Sequence, residues 1–143
     1  MHSTHQKILE LRTPGRGFTD VTREIAAVVA EAKVDTGLCA LFLQHTSASL
    51  LIQENADPAV LRDLEQWMSK LAPESTDYEH DAEGADDMPG HLRSAVTRTS
   101  EIVPVVSGRL GLGTWQAVYV WEHRRAPHLR TLVITIAGTS AVA

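Results

Sequence analysis

A single cysteine, Cys39, serves the whole chain of 143 residues. No internal disulfide can form, so stability must come from a packed core, for which this length is sufficient. Cys39 lies in the apolar run LCALFL, and a lone thiol suits a reduced, cytoplasmic setting. No apolar stretch approaches the ~20 residues that a membrane-spanning helix needs. The opening MHSTHQKILE lacks the apolar heart of a secretory signal. Basic residues are neither numerous nor clustered: 13 stand against 18 acidic ones, the net charge is -5, and Arg124–Arg125 is the only adjacent pair. Nucleic acid is therefore a poor partner, because binding its phosphates needs concentrated positive charge. Repeats, low-complexity tracts and linkers are absent, and 43% apolar with 22% charged residues is a globular composition. One domain over residues 1–143 is expected.

Periodicity divides the chain into strands, mostly in pairs, separated by single helices. Gln6 to Leu11 reads as an opening strand and PGRGF as a turn. Thr19 or Asp20 can cap a helix whose apolar positions Val21, Ile25, Val28, Val29 and Ala32 keep helical spacing, with Gly37 as its stop. Leu38 to Leu43 reads as a buried strand, and Ser49 to Gln53 as another. Asp57-Pro58 is a helix start, with Asp as cap and Pro at the first helical position. Val60, Leu61, Leu64, Trp67, Met68 and Leu71 form its apolar face until Pro73. Asp87 and Pro89 open a shorter helix to about Arg98, and strands follow at Ile102–Val106, Gly113–Glu122 and Leu129–Ala137. Strict βαβ alternation is missing. The pattern predicts an α+β, sandwich-like fold with a mostly antiparallel or mixed sheet and helices packed on one face.

The chemistry concentrates between Pro73 and His91, in PESTDYEHDAEGADDMPGH. Seven carboxylates and two histidines stand there without a lysine or arginine. A solvated acidic loop needs no imidazole, yet His80 sits at its centre and His91 at its end. His45, in QHTSAS, ends an apolar strand. Imidazoles supported by carboxylates are the ordinary ligand set of a divalent metal such as zinc. The spacing matches neither a zinc finger nor H-E-x-x-H, and taken alone His45 is better explained as a strand-end histidine bonded to backbone. No G-x-S-x-G elbow surrounds Ser47 or Ser49, which removes an ordinary serine hydrolase. Asp57 is accounted for as a cap; Glu54 and Asn55 are not. Around Arg109 the glycines of SGRLGLG form neither a P-loop nor a dinucleotide fingerprint, but they leave room for an anion beside the guanidinium. Glu122 ends a strand face that is otherwise apolar. His2, His5, His123 and His128 read as surface or terminal residues.

The segments HTSASLLIQENADP, YEHDAEGADDMPGHL and GRLGLGTWQAVYVWEHR, followed by the closing strand and Gly138, resemble the YjbQ family, whose members are labelled secondary thiamine-phosphate synthase enzymes. In order they span Leu38 to Gly138. The resemblance implies an α+β homotrimer with its site near subunit contacts, and His45, His80 and His91 gathered around a divalent metal (zinc or magnesium) or an anion. It further implies a phosphorylated small-molecule substrate and the joining of an aminopyrimidine methyl diphosphate to a thiazole phosphate with loss of pyrophosphate. In that reading Arg109 and Ser47 hold phosphate oxygens, while Asp86 or Glu54 orients ligands or manages protons. The alternatives are a metal-dependent hydrolase of phosphorylated small molecules and a non-catalytic, metal- or ligand-binding trimer.

Overall fold

A computed structural model describes residues 1–75 and 77–140; Thr76 and residues 141–143 of the expected domain lie outside the described residues. The elements in chain order are β1 (His2–Thr13), β2 (Gly17–Asp20), α1 (Thr22–Ala32), β3 (Thr36–Leu43), β4 (Ala48–Glu54), α2 (Pro58–Leu71), α3 (Asp87–Ala95), β5 (Ser100–Val106), β6 (Arg109–Leu110), β7 (Gln116–Glu122) and β8 (His128–Thr139). β-Branched and leucine-rich runs pair into a five-stranded sheet, β1-β8-β3-β5-β6, and a three-stranded sheet, β2-β7-β4. Every pair is antiparallel.

The core fills the space between the sheets, as alternation along the strands requires. Cys39, Leu41, Leu43, Ile134 and Ile136 point inward from the larger sheet, and Leu50, Val118 and Val120 from the smaller. Helix α1 closes one side with Ile25, Val28 and Val29, all buried. Each such aliphatic side chain contributes about 1.5–3 kcal/mol through burial. Helices α2 and α3 lie against β4 of the smaller sheet.

Several boundaries differ from the sequence pattern. Helix α1 ends at Lys33, which takes a left-handed conformation (φ 57°), and Gly37 is instead a strand residue. It is glycine because β8 passes too close for a side chain: a Cβ would lie 2.2 Å from the Ala137 carbonyl oxygen and 2.8 Å from Gly138 Cα. Strand β3 is buried only at alternate residues, leaving Leu38 and Phe42 about half exposed. Asp57 does cap α2, its carboxylate accepting the Ala59 N–H at 2.9 Å, but only Met68 of the expected apolar face is fully buried, and Trp67 and Leu71 stand out into solvent. Among the described residues, no helix is long and apolar enough to cross a membrane.

Candidate functional site

The chain leaves the smaller sheet at Glu122, passes through residues 123–127 and enters the larger sheet at His128. Near this crossing, the end of β3 with the residues after it, the second half of α3 and Arg130 of β8 enclose a cleft of about 660 Å³, lined by His45, Thr46, Ser47, His91, Ser94 and Arg130 among others.

At its α3 side, Asp87 and His91 stand four residues apart, which places them on one helical face. His80 reaches the same point from the preceding loop. Its Nε2 lies 2.6 Å from Asp87 Oδ2, and His91 Nε2 lies 3.3 Å from the same oxygen. One ligand atom from each of His80, Asp87 and His91 falls within 4.8 Å of the others, a spacing that one divalent ion can bridge. The other Asp87 oxygen accepts Arg124 Nη1 at 2.7 Å. Arg124 also donates to Asp86 Oδ2 at 3.1 Å and to the Glu83 carbonyl at 2.9 Å, so one guanidinium fastens the acidic loop to the sheet crossing.

Electrostatics follow from these contacts. The hydrogen bond that His80 donates to Asp87 raises the basicity of the ring against a smaller opposing effect of desolvation. Burial pushes the Asp87 carboxyl upward, but the His80 hydrogen bond and the Arg124 charge outweigh it and hold the group below the usual carboxylate range. Burial likewise opposes ionisation of Asp86. The Arg125 backbone N–H, at 2.8 Å, and Arg124 overcome it and bring its pKa down to about 2.

The opposite wall is built on a buried ion pair. Glu122 is 0% and Arg130 4% exposed. Arg130 donates through Nε to Glu122 Oε1 at 2.7 Å and through Nη2 to Glu122 Oε2. Glu122 takes further donors from the Thr13 hydroxyl at 2.6 Å and the Arg124 backbone N–H at 3.1 Å. Arg130 Nη2 also reaches the Ser47 carbonyl at 3.1 Å and Ser47 Oγ at 3.0 Å. His45 closes the wall. Its Nε2 accepts the Thr131 backbone N–H at 2.7 Å, and its Nδ1 lies 3.3 Å from Arg130 Nη1. Burial, then the Arg130 charge, lowers its basicity.

The structure thus brings His80 and His91 together, with Ser47 and His45 across the cleft and Asp86 held beside the loop. His45 lies outside the His80–Asp87–His91 group, its Nε2 lone pair taken by Thr131. Glu54 ends β4 at the far end from Ser47, roughly 20 Å away by strand rise, where Oε2 accepts the Ala56 and Asp57 N–H groups. Arg109 lies on β6 beside Val106. The register pairs Gly37 with Val105 and Phe42 with Ser100, so Arg109 occupies the opposite end of the sheet from His45. Its glycine neighbours serve the backbone: Gly108 has φ +78°, and a Cβ on Gly111 would lie 2.9 Å from the Pro104 carbonyl oxygen. His123 is not a surface residue but 0% exposed, with Nε2 2.8 Å from Ser49 Oγ. The sequence pattern assigns Asp87 only to a helix start and gives Arg124 and Arg130 no role in the site. The i, i+4 spacing of Asp87 and His91 was a legible signal for the first, and an arginine inside the apolar strand HLRTLVITIAG for the last.

Comparison with known proteins agrees with this architecture. The family model described as UPF0047 protein YjbQ-like matches residues 7–139. A UPF0047 protein of Synechocystis sp. is 53% identical, covering 94% of this chain and 92% of that protein. The UPF0047 protein YjbQ of Escherichia coli O157:H7 is 45% identical, covering 94% and 98%. Among solved structures, a conserved hypothetical protein of Thermus thermophilus superposes with a TM-score of 0.78 at 36% identity, covering 89% of this chain and 97% of that one. A YbjQ-like protein of unknown function from Sulfolobus solfataricus reaches 0.88 at 19% identity, with 96% and 99% covered, and is a likeness of fold. The chain belongs to the UPF0047 YjbQ-like family.

Proposed function

We propose that this protein is a small, divalent-metal-dependent enzyme acting on a phosphorylated small molecule, of the thiamine-phosphate-synthase type. The observation that carries the reading is the convergence of His80, Asp87 and His91 beside a cleft whose other wall presents Arg130 and Ser47. A divalent cation would neutralise charge on a departing diphosphate. The chain's own part is to hold that ion with two imidazoles and a carboxylate, to fix Asp87 through Arg124, and to receive substrate oxygens at the opposite wall. Asp86, pinned by Arg124 and Arg125, orients the loop. Glu54 and Arg109 stand at other ends of the sheets, away from this cleft.

Wild-type protein is expected to bind about one zinc or comparable ion per chain. His80→Ala, Asp87→Ala and His91→Ala should each lose more affinity than the roughly 10–100-fold that removal of an outer partner costs, measured by competition with a chromophoric chelator. A triple variant that keeps its full metal content would remove this site. Formation of thiamine phosphate from the aminopyrimidine diphosphate and thiazole phosphate, abolished by the same variants, is the direct test of activity. A three-ligand set also leaves a coordination position for water, which favours phosphate-ester hydrolysis as the second reading; release of phosphate from a monoester panel separates the two.

The same reading includes a homotrimer in the cytoplasm. Its support is the outer face of the larger sheet, where Ile8, Leu38, Phe42, Ile102 and Val106 are 50–62% exposed. Ile8 and Phe42 flank Val133 in register, and Phe42 also lines the cleft, so this apolar face runs to the edge of the site. An exposed apolar face of this kind is one that a subunit interface would cover. Sedimentation equilibrium at micromolar concentration should give three times the chain mass, and Ile102→Lys should lower it. A monomeric wild type would end the proposal.

A further inference from the structure

We infer that His45 and Arg130 form an oxyanion-binding subsite in the cleft wall, built to take a carboxylate or phosphate group of a small molecule. The argument begins with a peptide N–H, which can only donate. Because the Thr131 N–H points at His45 Nε2 from 2.7 Å, Nε2 must offer its lone pair. A neutral imidazole then carries its proton on Nδ1, and a protonated ring would set N–H against N–H at Thr131. The Nδ1–H faces Arg130 Nη1 at 3.3 Å, and a guanidinium nitrogen also only donates. Two donors therefore meet with no acceptor between them. Turning the ring over does not relieve this, since it would place a carbon against the Thr131 N–H.

The other arms of Arg130 are satisfied. Nε serves Glu122, and Nη2 serves Glu122 and both oxygens of Ser47. Among the described residues only Nη1 lacks an acceptor, on a residue that is 4% exposed. The Ser47 hydroxyl accepts from Nη2, which leaves its own proton free as a third donor. His45, Ser47 and Arg130 all line the cleft. Donors alone, converging on one wall from the buried Ser47 and Arg130 and the half-buried His45, fit an oxygen with several lone pairs, and charge-assisted hydrogen bonds make an anionic oxygen the preferred occupant. Lowered basicity of His45 agrees with the neutral ring. The subsite needs no metal, so it stands or falls apart from the His80–Asp87–His91 reading.

The test uses full-length protein with 15N-labelled histidine, in excess chelator, titrated with inorganic phosphate and separately with acetate. His45 is expected as the Nδ1–H tautomer, and its Nδ1 resonance should move saturably with at least one anion. Phosphate alone would identify a phosphate ester as the ligand class, and acetate alone a carboxylate. In His45→Gln the amide oxygen can occupy the place of Nε2 and keep Thr131 paired, while the Nδ1 donor is lost. Affinity should fall about tenfold, or about 1.4 kcal/mol, with the thermal midpoint unchanged. Ser47→Ala, which spares the Arg130–Glu122 pair, should weaken binding several-fold and serves as the second variant. An Nε2–H tautomer, no saturable shift with either anion (a site filled by water only), or unchanged affinity in both variants would each overturn the proposal.

Discussion

Glu122→Gln is expected to cost about 3–5 kcal/mol of folding stability, because it leaves the charge of Arg130 buried without a counter-charge. Of a typical total of about 5–15 kcal/mol, that is a large part. Glu122 sits at the end of the smaller sheet and Arg130 in the larger, so this pair joins the two layers where the chain crosses between them. The carboxylate receives four donors, from Arg130 twice, Thr13 and the Arg124 N–H. Burial alone would raise its pKa; these donors, led by Arg130 and Thr13, hold it down instead. An amide keeps the shape but not the charge. Urea unfolding at neutral pH measures the loss, and the double variant Glu122→Gln, Arg130→Met is the control. If the pair costs stability mainly when broken one side at a time, the double variant should recover part of the loss. A single-variant loss below about 1 kcal/mol would mean that Arg130 reaches solvent and is not committed to this pair.

That ion pair also marks the limit of what was legible in the sequence. Helix α1 was readable because Ile25, Val28, Val29 and Ala32 obey the helical period and all four are buried. Helix α2 kept the same period without the burial, since it lies on the outside of a narrow three-stranded sheet that covers little beyond Met68. Strands β2 and β6, of 4 and 2 residues, are too short for alternation to register. His80 and His91 were legible as imidazoles among carboxylates with no solvation purpose of their own. For Glu122 and Arg130 the apolar strands around them were a hint, but their pairing was not legible, nor was the burial of His123, because charged and polar types are mostly exposed and only tertiary contacts explain these positions. Arg109 misled for the converse reason: its glycines answer to positive φ and a close backbone at the far sheet end, and pattern alone cannot tell that from room left for a ligand.

Wild-type protein should lose about 2 kcal/mol more stability than His123→Gln between pH 7 and pH 5. The His123 ring is fully buried against Trp121, with ring centroids 5.2 Å apart, and its Nε2 pairs with Ser49 Oγ. Its Nδ1 has no partner among the described residues. Burial first, then the charge of Arg93, and further the charges of Arg130 and Arg16 against the opposing Glu122, bring its pKa from 6.5 down to about 3. The folded protein therefore keeps this ring neutral where the unfolded chain takes up a proton. Stability from this group is complete above about pH 6.5 and declines as pH falls, by about 1.4 kcal/mol per unit, until the folded ring itself protonates near pH 3. Glutamine can reach Ser49 from the position of Nε2 but does not titrate, so its profile should lack this slope. His45, whose basicity is lowered, and His80, whose basicity is raised, titrate in both proteins and cancel in the comparison. Urea denaturation of both at pH 7, 6 and 5, at fixed ionic strength, gives the two profiles. Parallel curves would show that His123 gains a proton in the folded state without penalty, and would mean that solvent reaches the ring.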